Sequence, residues 1–153
     1  MWKAFQELRE MGFLESETMP RFYASQSDGC QPIVTAFHAG KRFADRHENP
    51  KTVASGIRVP TALGDFMVID ALRESGGAIA VCEEKLSHWQ SKVAANEGLI
   101  VCPEAATCVG ALETMLADGT VGANERVVIV NTCLLYTSPS PRDLSTSRMP
   151  SSA

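Results

Sequence analysis

The sequence predicts an α/β protein with an open, mainly parallel sheet that is covered by helices. Short continuous apolar runs, "AIAVC" at 78–82, "LIVC" at 99–102 and "RVVIV" at 126–130, alternate with segments of helical length. A glycine follows each of these helical segments. Strands without polar alternation are buried on both faces, and strand–helix–strand units of this length join parallel strands through right-handed crossovers.

The first part of the chain predicts a helix, a strand, a second helix and a long loop. The opening "MWKAFQELREMGFL" has a helical period and ends at a glycine. Its apolar face contains Trp2, Phe5, Leu8 and Met11. A strand over 21–27 and a helix over 32–44 follow, with Pro32 in the first turn. Residues 45–61 have no hydrophobic period and contain two prolines, so we expect a surface loop of a length that is often functional.

The second part is regular, with helices predicted over 62–75, 83–97 and 103–118, each followed by one of the apolar strands. The side chains expected to face the core are Leu63, Phe66, Met67 and Leu72 in the first of these helices, Leu86, Trp89 and Val93 in the second, and Ala106, Val109, Leu112 and Leu116 in the third.

Composition limits the class of protein. A chain of 153 residues with 44% hydrophobic content can build one core. The net charge of -4, with both signs interspersed, argues against a nucleic-acid partner. No apolar run reaches the roughly 18 residues of a membrane helix, and the opening lacks the order of a signal peptide, so we expect no membrane partner and a cytoplasmic protein. Five cysteines without a C-x-x-C pair argue against a zinc site and a disulfide framework.

The composition also divides the chain into two parts. Eleven of the last 21 residues are Ser, Thr or Pro, without a helical or strand period. Such a segment cannot bury enough apolar surface to offset its loss of conformational entropy. We therefore expect an α/β unit over residues 1–132 and a disordered tail over 133–153.

Fold logic suggests where a ligand would bind. In parallel sheets, ligands lie beyond the carboxyl ends of the strands, which here are followed by Glu83 and Glu84, by Glu104, and by Asn131 and Thr132. Carboxylates are also favoured in the first turn of any helix, and this explains the glutamate pair better than a paired general acid and base does. Glu104 has the same structural explanation but keeps a functional one. His38, His47 and His88 are isolated and are expected to be structural or on the surface.

Four stretches taken together resemble one family. "GCQPIVTAF", "TVASGIRVPTALGDFMVIDALRESGG", "VCPEAATCVGAL" and "ERVVIVNT" are similar to the C-terminal half of threonine synthase, over essentially residues 1–132. Members of that family are pyridoxal-phosphate enzymes of fold type II, the tryptophan synthase β-like fold. The resemblance implies a lyase that converts O-phospho-L-homoserine and water to L-threonine and phosphate, and it is compatible with a homodimer when intact.

The resemblance also implies a set of cofactor-binding residues. Thr132 matches the family's threonine that hydrogen-bonds the pyridine nitrogen. The loop with Ala54, Ser55 and Gly56 matches one beside the cofactor ring, and Glu104 matches a helix start that faces the pocket. Arg58 and Asp65 belong to the recognisable pattern, but roles as a surface partner and a first-turn helix acid explain them as well.

Two departures from the family pattern predict that this chain is a truncated fragment without turnover. The family's cofactor lysine has no counterpart in sequence context, and the glycine-rich phosphate loop is missing. The lysines without that context are Lys3, Lys41, Lys51, Lys85 and Lys92. After Thr132 the family continues with Gly-x-Gly, whereas this chain changes at Cys133 to a stretch that resembles translated sequencing adapter.

Two alternatives remain open at the level of sequence. The first alternative is a part of another fold type II pyridoxal-phosphate enzyme, such as a threonine dehydratase, since the residues that select the substrate lie largely in the missing half. A free-standing α/β binding module without catalysis is the other alternative.

Overall fold

The computed structural model describes residues 1–14 and 18–132. Within these residues the sheet has two parallel strands, β1 (Tyr23–Ser27) and β2 (Gly77–Val81). Tyr23 is paired with Gly77, and Ser27 with Val81, so the two strands end together at the same edge. The five α-helices are α1 (Trp2–Glu10), α2 (Pro32–His38), α3 (Asp65–Ser75), α4 (Leu86–Glu97) and α5 (Pro103–Ala117). The prediction of an α/β fold with a parallel sheet is confirmed.

Helices cover both faces of the sheet. Successive residues of a strand point to opposite faces, so neighbouring side chains of β2 pack against different helices. Ile79 and Val81 pack in one apolar cluster with residues of α4 and α5, whereas Ala78 packs in a second cluster with residues of α2 and α3. The tryptophan of α4, Trp89, lies so close to α5 that a Cβ at Gly110 would be 2.6 Å from its ring. Glycine at this position is what allows the two helices to approach.

An ion pair joins α4 and α5 at the rim of their contact. The Glu113 carboxylate accepts hydrogen bonds from Trp89 Nε1 at 3.0 Å and from Lys92 Nζ at 2.8 Å. The bond from the Lys92 ammonium, with that from the Trp89 indole, lowers the pKa of Glu113 to about 2. The carboxylate therefore remains an acceptor at any pH near neutrality.

Two of the predicted strands do not form. Val101 makes a single β-bridge instead of a strand over 99–102, and residues 126–130 pair with neither of the described strands. Val128 is 80% exposed. An apolar run creates a tendency to form a strand, but a strand forms only where the segment pairs with a neighbouring edge, and residues 126–130 pair with neither β1 nor β2.

The inward faces of two helices also differ from the prediction. Leu72 is buried as predicted, but Leu63 is 99% exposed and Met67 is exposed, and α3 buries Asp65 and Ile69 in their place. In α5, Leu116 is exposed and its neighbour Met115 is buried. The helical period was correct in both cases, but the elements that each helix packs against set which of its residues face inward.

The predicted disordered tail, residues 133–153, lies outside the described residues. In the part of the chain that is described, no helix combines the length and the apolar character needed to cross a lipid bilayer. The four cysteines in that part form no disulfide with one another, and two of them, Cys30 and Cys102, are buried.

Candidate functional site at the carboxyl edge of the sheet

The loop Thr52–Gly56 lies beside the carboxyl ends of both strands. The turn after β1 is bonded to the end of β2, with Asp28 N donating to Val81 O at 2.8 Å. The same turn holds the start of the loop, since Lys51 N donates to Gly29 O at 2.8 Å. A Cβ at Gly29 would lie 1.9 Å from the Lys51 carbonyl oxygen, so only glycine permits this backbone approach. The edge predicted to bind ligands is therefore bordered by this loop.

The carboxylate of Glu83, directly after β2, anchors the loop to the sheet. Its Oε2 accepts hydrogen bonds from the hydroxyl of Ser27, at the end of β1, and from Thr52 Oγ1 at 2.5 Å. Its Oε1 accepts from Val53 N at 2.6 Å. The backbone amide of Glu83 in turn donates to Asp28 Oδ1 at 2.9 Å. One carboxylate thus joins both strand ends to the loop.

The pKa of Glu83 is lowered by these contacts. Partial burial by itself raises the pKa, because it disfavours the charged form, but the hydrogen bonds from Ser27, Thr52 and the Val53 amide outweigh burial. At neutral pH the group is an ionised acceptor within the network.

A second carboxylate holds the other end of the loop. Glu104, in the first turn of α5, accepts a hydrogen bond from Gly56 N at 2.7 Å through Oε1. A Cβ at Gly56 would lie 3.1 Å from that oxygen, so the loop and the side chain are in close contact. Burial acts to raise the pKa of Glu104, but the hydrogen bonds from the Gly56 amide, its own amide and the Cys102 side chain lower it on balance.

The start of α5 is itself attached to the sheet. Thr107, which is buried, donates from Oγ1 to the Glu104 carbonyl oxygen at 2.6 Å. Because its one proton is used there, the hydroxyl of Ser25 in β1 is the donor in the 2.9 Å contact with Thr107 Oγ1. The loop, β1 and the first turn of α5 therefore form one connected structure.

The predicted site residues separate into two groups. Ala54 is fully buried, while Ser55 and Gly56 are exposed in a 3-10 turn that leads to Ile57, and this group meets Glu104. Thr132 is exposed at the end of the segment 126–132, and no hydrogen bond among the described residues joins it to the loop. The structure thus brings four of the five predicted residues together, and the role of each toward a cofactor stays a prediction.

The sequence assigned Glu83 to the first turn of a helix and missed its role in the loop. The helix α4 begins three residues later, after a 3-10 turn over Glu83–Lys85, so the side chain is available to reach back to the loop. The rule that ligand sites lie just after strands did point to this residue. That rule, weighed above the helix dipole, is the signal that would have selected the pair Glu83 and Glu84.

Other residues noted in the sequence have structural roles. His38 donates from Nε2 to the Ala78 carbonyl oxygen at 2.9 Å. Asp65 is buried and accepts from Ala44 N at 2.6 Å, in addition to opening α3 as its first-turn acid. A cavity of about 140 Å³ lies between α2 and the loop that contains His47, away from Glu83 and Glu104. This cavity therefore lies apart from the two carboxylates that hold the loop.

Solved structures with the same fold define the class of this chain. A threonine deaminase from T.th. superimposes with a TM-score of 0.52 at 19% identity, over 71% of this chain and 41% of that one. Maize serine racemase superimposes with a TM-score of 0.50 at 19% identity, over 60% and 27%. At this identity the likeness establishes the α/β fold of these enzymes.

The family follows from the sequence as a whole. Residues 1–132 match the model of the family described as pyridoxal-phosphate dependent enzyme, and the chain belongs to that family. Threonine synthase of Methanocaldococcus jannaschii is 32% identical over 133 residues, which are 86% of this chain and 32% of that protein. Threonine synthase of Methanosarcina acetivorans is 34% identical over 140 residues, 91% of this chain and 34% of that protein. The chain thus spans about a third of the length of these relatives.

Proposed function

We propose that residues 1–132 form the part of a threonine synthase that borders one side of the pyridoxal-phosphate ring, and that residues 133–153 do not belong to this unit. The reaction proposed for the intact enzyme is the conversion of O-phospho-L-homoserine and water to L-threonine and phosphate. One observation carries the assignment: the Gly56 amide binds the Glu104 carboxylate at 2.7 Å, across a sequence separation of 48 residues. Two segments that resemble the family's pocket thus meet at the carboxyl edge of the sheet.

The residues at this edge suit the cofactor ring and do not suit its phosphate. Ser55 and Gly56 are small and exposed, so a flat ring can lie close to their backbone, while the buried Ala54 holds this turn against the core. Glu83 and Glu104 are both anionic and both occupied by donors from the loop, so they repel a phosphate group. The phosphate and the lysine that holds the cofactor are therefore assigned to the region of the relatives that this chain does not span.

The work of this chain's residues is positioning. When bound, pyridoxal phosphate supplies an electron sink, and the protein contributes binding, orientation and electrostatics. Thr132 would donate a hydroxyl hydrogen bond to the pyridine nitrogen, without holding a proton there as a carboxylate does. The small loop would exclude water from one face of the ring. Partner and location follow from the proposed reaction: a small phosphorylated amino acid, a cytoplasmic enzyme and a homodimer when intact.

A chimera tests the proposed reaction. Residues 1–132 would replace the matching third of the Methanocaldococcus jannaschii threonine synthase, and the purified protein would be assayed for phosphate and threonine from O-phospho-L-homoserine. We expect turnover, and a loss of about ten-fold or more in kcat for Thr132→Val, because a hydrogen bond to the cofactor is removed. Thr120→Val, another exposed threonine, is the matched control and should leave kcat unchanged.

Other outcomes would replace the proposal. Formation of 2-oxobutanoate from threonine without phosphate release from phosphohomoserine would identify a threonine dehydratase. A folded chimera that binds pyridoxal phosphate but acts on neither substrate would contradict the proposed reaction and favour the binding module without catalysis.

A further inference from the structure

We infer that Glu83 is a positioning residue for the cofactor-side loop: its ionised carboxylate sets the conformation of Thr52–Gly56 from the end of β2. All the contacts of Glu83 described here are made within this chain. Their importance for catalysis rests on the proposed function. Glu83 touches neither a substrate nor a cofactor in this arrangement, and it acts through the loop.

The hydrogen bonds around Glu83 run in one direction, toward the carboxylate. The Ser27 hydroxyl donates to Glu83 and accepts from Gly29 N at 3.2 Å. The Thr52 hydroxyl donates to Glu83 at 2.5 Å and accepts from Ala54 N at 3.1 Å. Each hydroxyl has one proton, and that proton is used on the carboxylate. The two hydroxyl oxygens are thereby left to accept backbone amides on either side of the site.

This arrangement requires a group that only accepts hydrogen bonds. Val53 N donates to the second carboxylate oxygen at 2.6 Å, so both oxygens of Glu83 face donors. A neutral acid or an amide in the same place would present a donor of its own to one of them. Because Ser27 is fully buried and Thr52 nearly so, a hydroxyl proton displaced from Glu83 would be left without a partner away from water.

The loop depends on these contacts because its own backbone bonds are local. Ser55 N donates to Val53 O and Ile57 N to Ala54 O, which curl the segment but do not attach it to the sheet. Polar attachment comes from the carboxylates of Glu83 and Glu104, together with the bond from Lys51 N to Gly29 O, and Ala54 adds a fully buried apolar contact. Of these, Glu83 is the contact that reaches both the end of β1 and the centre of the loop.

The neighbouring glutamate offers a matched comparison. Glu84 is exposed, and it has the same charge and the same place in the sequence after β2. The charged group that faces the Glu83 backbone is Asp28, whose Oδ1 accepts from Glu83 N at 2.9 Å. Asp28 is a carboxylate in direct contact with the Glu83 backbone, so it needs its own control variant.

The test is an NMR titration of the 153-residue chain. The amide proton of Val53 should shift as pH falls and the Glu83 carboxylate takes up a proton, because the hydrogen bond at Oε1 weakens. The shift should be abolished in Glu83→Gln and retained in Glu84→Gln and in Asp28→Asn. Amide hydrogen exchange at Val53 and Ala54 should be about ten-fold faster or more in Glu83→Gln than in Glu84→Gln, with α5 amides such as Met115 unchanged.

The wild-type titration keeps the inference testable even if Glu83→Gln fails to fold. A Val53 amide that does not move through the carboxylate range would overturn it. Equal exchange at Val53 and Ala54 in the two glutamine variants would overturn it as well.

The chimera separates this inference from the proposed function. There, Glu83→Gln should weaken pyridoxal-phosphate binding or kcat by about ten-fold while Glu84→Gln does not. If the Val53 amide proton shifts with pH but the chimera is inactive, Glu83 remains the residue that positions the loop and the proposed reaction is rejected. If the chimera is active but the Val53 amide proton does not shift with pH, the role of Glu83 is rejected and the proposed reaction is kept.

Discussion

The loop Thr52–Gly56 and the segment 126–132 both contain residues predicted to contact the cofactor, but the chain holds only the first of them in place. The loop has little apolar content, yet it is attached to the sheet through Glu83 and to α5 through Glu104. The segment is far more apolar, yet Val128 is 80% exposed and no described strand pairs with it.

The comparison teaches that specific contacts, and not apolar content, decide which of the two segments is held in place. Polar contacts need only a few correctly placed acceptors, and this chain contains them. A buried apolar strand needs neighbours along its edge to pair its backbone groups, and neighbours on both faces to cover its side chains. Hydrophobicity alone therefore did not decide which segment is held.

The largest effect is expected from breaking the loop's attachment at Gly29. Gly29→Ala would place a Cβ 1.9 Å from the Lys51 carbonyl oxygen, a backbone atom that cannot move without displacing the loop. We expect the free energy of unfolding to fall by about 3 kcal/mol, measured by urea denaturation. Gly122→Ala, four residues before the other segment, is the control, because the nearest atom there is 3.4 Å away, and it should cost under about 0.5 kcal/mol. Equal losses of unfolding free energy at both glycines would contradict the difference between the attached loop and the segment 126–132.

A smaller effect, dependent on pH, is expected at Glu83. Its pKa is lowered in the folded chain, so its stabilisation is fully present above the unfolded carboxyl pKa of about 4.3 and is lost as pH falls through the lowered value. Glu83→Gln should cost about 2 kcal/mol at pH 7 and progressively less toward pH 3. Denaturation curves at pH 7, 5 and 3 measure this difference.

Glu84→Gln serves as the reference for the pH series, because that side chain is exposed, and its cost should stay near zero throughout. A cost for Glu83→Gln that is independent of pH, or that grows on acidification, would show that the carboxylate charge does not hold the loop.

The smallest effect is expected in the apolar segment. Val128→Thr should change the free energy of unfolding by less than about 0.5 kcal/mol, because Val128 is already exposed to water. The same substitution at Val81, which is 3% exposed in β2, should cost about 1 kcal/mol through the buried hydroxyl. If Val128→Thr were as costly as Val81→Thr, the segment would be packed in solution and the contrast would be wrong.

Much of the fold was predictable because local patterns specify it. The prolines at 32 and 103 begin α2 and α5, and Gly98 follows α4 in the left-handed conformation expected of a helix end. The strands at 23–27 and 77–81 lie close to the predicted segments 21–27 and 78–82, and each has the other as its partner.

The inward faces were predicted less well, because they depend on what each helix packs against. The structure begins α3 at Asp65, so Leu63 falls in the preceding turn and is exposed. Met67 lies within α3 and is also exposed, because the face that packs against α2 and the sheet contains Ile69 and Leu72. The helical period gives the residues that share a face, but not which face is covered.

The candidate site divides in the same way. Glu104 and the loop Ala54–Gly56 could be chosen from the sequence, because both lie where a parallel sheet binds ligands or where a long loop has small residues. Glu83 could not be separated from Glu84 by any local argument. Only the positions of Ser27, Thr52 and Val53 around one carboxylate distinguish the two.

By itself, the sequence determined the α/β class, the order of the helices, the parallel character of the sheet and the membership of a pyridoxal-phosphate enzyme family. The tertiary structure decided which carboxylate holds the loop, which helix faces are buried and which apolar run stays unpaired. The physical reason is that helices and turns depend on neighbours a few residues away. A strand partner, or a hydrogen-bond acceptor for a loop 30 residues distant, exists only once the chain has folded.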